Sequence, residues 1–555
     1  MRIRSYFLIA IAALAVLVSE TGLSSLRAQI MASPVALTGQ VSSIEEGRME
    51  GVLVSAKKAG STITITVVSD QQGRYAFAAN KMEPGQYSLR IRAAGYDLDG
   101  PGTVEIAPQK KTTADLKLRK TEDLASQLTN AEWILSVPGT EEQKANLLDC
   151  VGCHTLQRIV KSQYNADEFA QVMTRMAGYA NGSMDPPLHV QTYPLARTIN
   201  PERFRKQAEF LSTINLSSGP QWKYSLKTFP RPKGRATHVV ITEYDLPRPE
   251  TEPHDVVTDP EGMVWYSDFG EQYLGNLDPR TAKVTEYPVP EPKPDHPRGA
   301  NDLEFDKEGY LWMGMLLQGS VAKFDRKSHH FQVFTVPPGP KSVVAQQAMV
   351  MPVRSDVDGK VWMNDVGIEG LHRLDVASGK FETFEPFKSD TRPHAVYGVS
   401  ADSHNNGYFL DRRGDSIGRI DAETGKITLY QTPTHNSYPR RGHMDLQDRL
   451  WFGEFRANKF GMFDTRTERF QEWVVPTPWS SPYDVTADKN GELWTGGMTT
   501  DRVVRLDPNG GQVTEYFLPR NTNIRRVFVD NSTTPVTFWV GSNHGASIVK
   551  VEPLD

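Results

Sequence analysis

Pro482-Tyr-Asp-Val-Thr-Ala-Asp488, Glu492-Leu-Trp-Thr495, Arg502-Val-Val-Arg-Leu506 and Gln512-Val-Thr-Glu-Tyr516 follow one another closely, and their reading decides the fold. Each is a short run rich in β-branched and aromatic residues, separated from the next by Gly, Asn or Asp, as strands joined by tight turns require. The same events recur around Trp265, Trp312, Trp362, Tyr408-Phe409, Trp451, Trp494 and Trp539, about every 43–50 residues. Four short strands at this period predict propeller blades. Seven copies can be counted, and the last stops after Ser547-Ile-Val-Lys-Val551 without its fourth strand. His238-Val-Val-Ile-Thr-Glu-Tyr-Asp-Leu-Pro247, ahead of the first copy, matches Gln512 to Pro519 in pattern and is expected to complete that last blade. Closure of this kind removes edge strands that could pair with other chains.

The propeller fills only the second half of the chain. A length of 555 residues predicts roughly three folded units. Formal net charge is −5, from 62 Lys and Arg against 67 Asp and Glu, so the cationic excess that phosphate backbones attract is missing and nucleic acid is excluded as a partner. Residues 1–28 read as a signal peptide: Met1-Arg-Ile-Arg4 is basic, Tyr6 to Val18 is apolar but too short to span a bilayer, and Leu26-Arg-Ala28 offers a small residue for cleavage. A periplasmic or secreted protein follows, with no membrane span after signal removal; an uncleaved anchor is the alternative. The only cysteines are Cys150 and Cys153, so no disulfide framework is expected.

Residues 33–119 alternate apolar and polar positions between Gly, Asp and Pro turns, as in Leu89-Arg-Ile-Arg-Ala93 and Thr113-Ala-Asp-Leu-Lys-Leu118, which predicts a small antiparallel sandwich. Gly39-Gln-Val41, Ser69-Asp-Gln-Gln-Gly73-Arg-Tyr-Ala-Phe77, Pro84-Gly-Gln-Tyr87 and Ala94-Gly-Tyr96 resemble the carboxypeptidase regulatory-like (transthyretin-like) family. That resemblance implies an accessory β-sandwich without catalysis. Asp70 reads as a turn former ahead of Gly73 rather than a metal ligand.

Over residues 121–216 the period becomes helical. Thr140-Glu-Glu-Gln143 is a capping box, and the helix it starts leads into Cys150-Val-Gly-Cys-His154. This spacing sets two thiols to form thioethers with both haem vinyl groups, with the adjacent imidazole on the iron. A thioredoxin-like pair would need a βαβ context and a zinc site two further ligands, and neither is present. Asp167-Glu-Phe-Ala-Gln-Val-Met-Thr-Arg-Met176 and the closing helix Phe204-Arg-Lys-Gln-Ala-Glu-Phe-Leu211 make the segment similar to small mono-haem cytochrome c domains. By that resemblance Met176 is the second iron ligand and Met184 the next choice, with His189 behind them; Met173 reads as core packing.

Residues 237–552 carry further familiar words. Thr285-Glu-Tyr-Pro-Val-Pro290, Ser416-Ile-Gly-Arg-Ile-Asp421, Leu450-Trp-Phe-Gly-Glu454 and Asn458-Lys-Phe-Gly461 resemble the streptogramin B lyase (virginiamycin B lyase) propellers. Members open a cyclic depsipeptide by elimination, using a divalent cation, usually Mg2+, with Glu and His at the channel mouth. The resemblance implies Glu252, His254, His443 and Glu454 as catalytic residues and Asp268 and Glu454 as ligands to a divalent ion, while His394 could face the same channel. One departure stands out: where the family has a second His, one blade before Glu252-Pro-His254, this chain has Arg525.

Starts of inner strands line a propeller's mouth, one side chain from each blade, so Arg298, Asn301, Asp302, Asn364, Asp365, Arg412 and Arg441 join the candidates. Asp259, Asp306, Asp402 and Asp488 recur at turns and read as structural. The expected architecture is multidomain and mainly β: a β-sandwich, a small α-helical cytochrome c-like domain and a seven-bladed β-propeller. The expected function is an exported c-type haem protein that exchanges electrons with a soluble carrier protein or a small-molecule substrate bound on the propeller. The alternative is a lyase in which a His base removes a proton α to a metal-polarised carbonyl. A third reading is a recognition assembly.

Overall fold

A computed structural model of the chain describes residues 34–180, 191–192, 200–337, 350–352 and 356–555. The signal peptide expected over residues 1–28, Met184 and His189 lie outside the described residues. Most of the described chain is β-structure, gathered into eight sheets.

Six sheets are four-stranded antiparallel blades in sequence order. Blade 1 comprises Pro253–Thr258, Val264–Asp268, Tyr273–Asp278 and Lys283–Pro288, and the inner strands of blades 2 to 6 start at Ala300, Val350, Val396, Pro439 and Pro482. Blade 7 takes Val527–Asp530, Thr537–Ser542 and Ser547–Pro553, and its fourth strand is Val239–Asp245, with Ile241 opposite Val551. Inner strands of successive blades pack together, and the ring closes where Pro253–Thr258 meets Val527–Asp530.

Why Asp and Trp recur six residues apart is now visible. One oxygen of Asp259 accepts the backbone N–H groups of Glu261 and Met263, and the other accepts the Trp265 indole N–H at 2.8 Å. Asp306 with Trp312 and Asp488 with Trp494 repeat the arrangement, and so does Asp445 with Trp451, a pair the sequence reading did not single out. The carboxylate ties the hairpin and lets the ring be buried with its one donor satisfied.

The N-terminal unit differs from expectation in two ways. Val35–Ser43 pairs antiparallel with Arg74–Ala78 but parallel with Thr112–Thr113 and Leu116–Lys120, so the sandwich is not purely antiparallel. The other sheet, which includes Leu53–Lys58, Ile63–Val68 and Gly85–Arg92, does not end at its own edge. Ile63–Val68 pairs with Val239–Asp245, so sandwich and blade 7 share one eight-stranded sheet. The exposed edges on both sides are thereby satisfied by each other. Asp70 is a turn residue as expected, its Oδ1 accepting from the backbone of Gln72 and Arg74.

Between sandwich and propeller, short helices at Asn130–Ser136, Glu141–Ala145, Leu147–Val151, Gln157–Val160, Ala166–Met176 and Pro201–Ile214 form a small cluster. The capping box at Thr140 forms, with both Thr140–Gln143 bonds present, but the helix it starts breaks at Asn146 before resuming toward Cys150. Trp133, Ile134, Leu147, Val151, Phe169, Phe210 and Leu211 make the cluster's core, which runs on into Tyr483 and Met498 of the propeller.

Candidate functional site

The helical cluster encloses a cavity of about 790 Å³. Cys150, Cys153, His154, Met173 and Met176 all line it, with Phe169, Val172 and Leu211 among its apolar walls. The volume is that of a site for a cofactor-sized molecule. Met173 and Met176, three residues apart, lie on one face of the helix Ala166–Met176; Met173 packs against the cluster's core as expected from the sequence and also lines the cavity. His154 is buried, and its Nδ1–H donates to the Thr155 carbonyl at 2.9 Å, which places the ring lone pair on Nε2. Cys150 and Cys153 form no disulfide, and burial pushes the Cys150 thiol up to about 12, with Asp149 adding to the shift. A thiol so disfavoured as thiolate does not suit disulfide exchange.

The Cys-Val-Gly-Cys-His turn is fastened to the propeller. The Val151 carbonyl accepts from Asn523 Nδ2 at 3.0 Å and the Gly152 carbonyl from Arg525 Nη2 at 2.6 Å. Arg525 also lies 4.5 Å over the Phe269 ring, and Phe269 stacks on His254 with centroids 5.2 Å apart. Ala131 N–H donates to Thr499 in blade 6. The residue that departs from the family pattern is therefore the clamp that holds the helical cluster over blades 6 and 7. His544 of blade 7, which the sequence reading missed, sits beside Gly152 and His154, and burial with Arg525 pulls its pKa down to about 3.

Outside blade 3, two consecutive inner-strand positions of a blade contribute to the channel. Pairing slips between Pro253 and Val256, Ala300 and Leu303, Val396 and Val399, Pro439 and Gly442, and Pro482 and Val485, a bulge at the start of five inner strands. A bulge re-aims side chains, and here two consecutive residues point inward. One set comprises His254, Asn301, Tyr397, Arg440, Tyr483 and Arg525; the other comprises Asp255, Asp302, Arg441, Asp484 and Arg526, with Gly398 at the blade 4 position. At Gly398 a Cβ would stand 2.7 Å from the Arg440 carbonyl oxygen and 3.0 Å from the Arg441 Cα, so any larger residue would push blade 5 away.

The second set neutralises itself. Arg441 bonds Asp255 at 2.8 and 2.6 Å and also reaches Asp302, while Arg526 bonds Asp255 at 2.8 Å, the Leu303 carbonyl at 2.6 Å and Glu304. Burial would raise Asp255, but Arg441 and Arg526 hold it well below the usual carboxylate range. Burial and the Asp255 charge push Asp302 up to about 7 against Arg441. His443 joins through Asp484 at 3.1 Å. His254 donates to Asp255 at 2.6 Å, and burial pulls its pKa down to about 4, so its ring is neutral at physiological pH.

The four residues expected to be catalytic are not brought into one constellation. His254 and His443 belong to this network, Glu252 is buried against Gly270 in blade 1, and Glu454 ends the second strand of blade 5. Burial, then Glu472, pushes Glu454 up to about 8. Asp268 is the loop cap of blade 1: it accepts from the backbone of Glu252 and Gly270 and pairs with Arg248 at 2.5 Å. Asp268 and Glu454 thus stand in separate blades, and among the described residues no three His, Cys, Asp or Glu converge as a metal site. His394 does not face the channel; it stacks on Phe387 and bonds Asp411 at 2.7 Å within blade 4. Asp365 bonds His372 at 3.0 Å, Asn364 donates to the Val396 carbonyl, and Arg298 pairs with Glu291 on the rim.

Residues 294–553 match the virginiamycin B lyase family, and residues 36–119 match the carboxypeptidase regulatory-like domain. Neither match extends over residues 120–293. No curated protein sequence matches the chain. Among solved structures, virginiamycin B lyase from Staphylococcus aureus is 23% identical, with a TM-score of 0.48 over 56% of this chain and 98% of that one. A streptogramin B lyase is 22% identical, with a TM-score of 0.49 over 58% and 99%. The extracellular domain of a hybrid two-component system of B. thetaiotaomicron is 14% identical, with a TM-score of 0.41 over 54% and 38%. The chain thus combines a carboxypeptidase regulatory-like domain with a virginiamycin B lyase-like β-propeller.

Proposed function

We propose that the protein is an exported c-type haem protein whose helical cluster exchanges electrons beside a ligand-binding, lyase-like propeller. One observation carries this reading: a single cofactor-sized cavity is lined by both thiols, the adjoining imidazole and two thioethers. Cys150 and Cys153 would tether the porphyrin, His154 Nε2 would ligate the iron, and Met176 or Met173 would take the opposite face. Haem c, when bound, supplies one-electron chemistry. Phe169, Val172 and Leu211 would give the ring apolar contact, and a thioether ligand would favour the ferrous state. The Thr155 carbonyl fixes the His154 tautomer, and the Asn523 and Arg525 bonds hold the motif's backbone in place. A soluble electron-carrier protein or a small molecule would be the redox partner. Among the described residues no helix is long and apolar enough to cross a membrane.

The test is expression in a host competent for haem attachment, with the absorption spectrum and pyridine haemochrome read on the purified full chain. Two thioether links are expected, and both are lost in the Cys150→Ala, Cys153→Ala double variant.

The family match favours a second reading, elimination on a streptogramin-like substrate with Mg2+. His254 Nε2 has no hydrogen-bond partner, and a neutral imidazole oriented by a carboxylate has the form of a general base. Against it, two arginines already neutralise Asp255, Glu454 and Asp268 stand in different blades, and Arg525 serves as a clamp. Ring opening of a streptogramin B by the full chain with Mg2+, lost in His254→Ala, would establish this reading; no turnover is expected.

A further inference from the structure

Most buried cations of the propeller are paired, as burial demands. Arg441 and Arg526 hold Asp255, Arg502 pairs with Glu515, and Arg505 with Glu492. Arg412 and Arg440 break this pattern. Among the described residues no carboxylate pairs with either, and the Nε atom of each is buried without a hydrogen-bond partner.

The two guanidinium groups are neighbours. Both lie over the Tyr397 ring, at 5.3 Å for Arg412 and 5.7 Å for Arg440, and Arg440 also lies 4.2 Å over Tyr483 and 4.4 Å over Phe455. Tyr397 and Tyr483 are hydrogen-bonded to each other through their hydroxyls, so one O–H remains to donate elsewhere. Two like charges side by side over aromatic rings repel, and each costs desolvation with no anion to offset it. Both residues are half-buried, so their outer N–H groups still face accessible space. Planar guanidinium donors in a fixed pair match the geometry of carboxylate and phosphate oxygens.

We propose that Arg412 and Arg440, with the Tyr397 and Tyr483 hydroxyls, form a binding site for the carboxylate or other oxyanion group of a small ligand at the propeller mouth. The site stands on blades 4 to 6 alone and does not depend on the haem. None of these four residues lines the helical cavity, so the occupant is a free small anion.

The experiment is calorimetric titration of the full chain with inorganic phosphate at low salt, run on wild type and on the haem-free Cys150→Ala, Cys153→Ala variant. Saturable binding of equal affinity is expected in both arms; binding in one arm only would overturn a site independent of the haem. Arg412→Met and Arg440→Met are each expected to weaken phosphate at least about tenfold, the value of one charge-assisted hydrogen bond. In phosphate-free buffer these variants should melt no lower than wild type, because each relieves a like-charge contact. Absence of saturable binding in both arms overturns the proposal. So do variants that bind as wild type does, or variants that melt lower in phosphate-free buffer, which would make the arginines structural stacking partners.

Discussion

The helical cavity and the propeller channel both gather ligand-type side chains, yet they differ in whether those side chains already satisfy one another. In the channel, Asp255, Asp302 and Glu304 are matched by Arg441 and Arg526, and both histidines are hydrogen-bonded to carboxylates. In the cavity, two thiols, an imidazole and two thioethers line a common space whose walls mix apolar residues with charged ones such as Asp149, Arg158 and Arg203. A closed ionic network ties blades 1, 2, 5 and 7 together, with blade 6 joined through Asp484 and His443; a cavity lined by soft ligands is the kind of site that the proposed haem would need. Chemistry-bearing residues therefore mark a site only where their neighbours leave them something to do.

The sharpest way to break this contrast is at the cysteines. Cys150→Ala should remove one thioether, and the double variant all covalent haem, an all-or-none change in colour that leaves the far-ultraviolet circular dichroism of the β-rich chain in place. On the channel side, Arg441→Met leaves Asp255 and Asp302 short of their shared cation. Breaking a buried pair costs about 3–5 kcal/mol, to be read by denaturant unfolding, and a loss under about 1 kcal/mol would mean the network is not what holds the ring. Arg525→Ala joins the two regions. It should cost about 1–3 kcal/mol for the orphaned buried carbonyl, and amide exchange should rise at residues 150–154 while blades 1 to 5 stay protected.

A further effect is one of slope. Glu454 titrates at about 8 in the fold because of burial and Glu472. A raised carboxyl pKa means the folded state keeps a proton that the unfolded chain has lost. Stability is therefore fully present below the unfolded pKa of about 4.5, falls as pH rises, and this contribution is gone above about 8. The slope in that window approaches about 1.4 kcal/mol per pH unit for one proton. Glu454→Gln should flatten it in denaturation curves taken from pH 5 to 8.

Much of the fold was legible because it is periodic. The Trp spacing and the Asp six residues before several of them reflect one hydrogen bond made in blades 1, 2, 5 and 6, and the strand before the first copy could be matched by its words to the missing one. Pairing-dependent features were not legible. The bulges that aim two residues per blade inward exist only once the inner strands are in register, so Asp255, Arg440, Tyr483 and Arg526 went unremarked beside named neighbours. Arg525 was visible as a departure, but its partner is a backbone carbonyl far away in sequence. The fusion of sandwich and blade 7 through Val239–Asp245 was hidden because a strand's pattern shows which face is buried, not how many neighbours share its edges. Met173 was set aside because helical spacing alone does not distinguish a core face from a cavity face.

The most direct test of the account is whether iron porphyrin stays with the polypeptide. Full-length protein from a host that attaches haem is denatured and extracted with acidified organic solvent, and the residual chain is examined by absorption and by thiol titration. Haem retained on the chain with no titratable thiol is the expected result. A colourless chain with both Cys150 and Cys153 titrating as free thiols would contradict it.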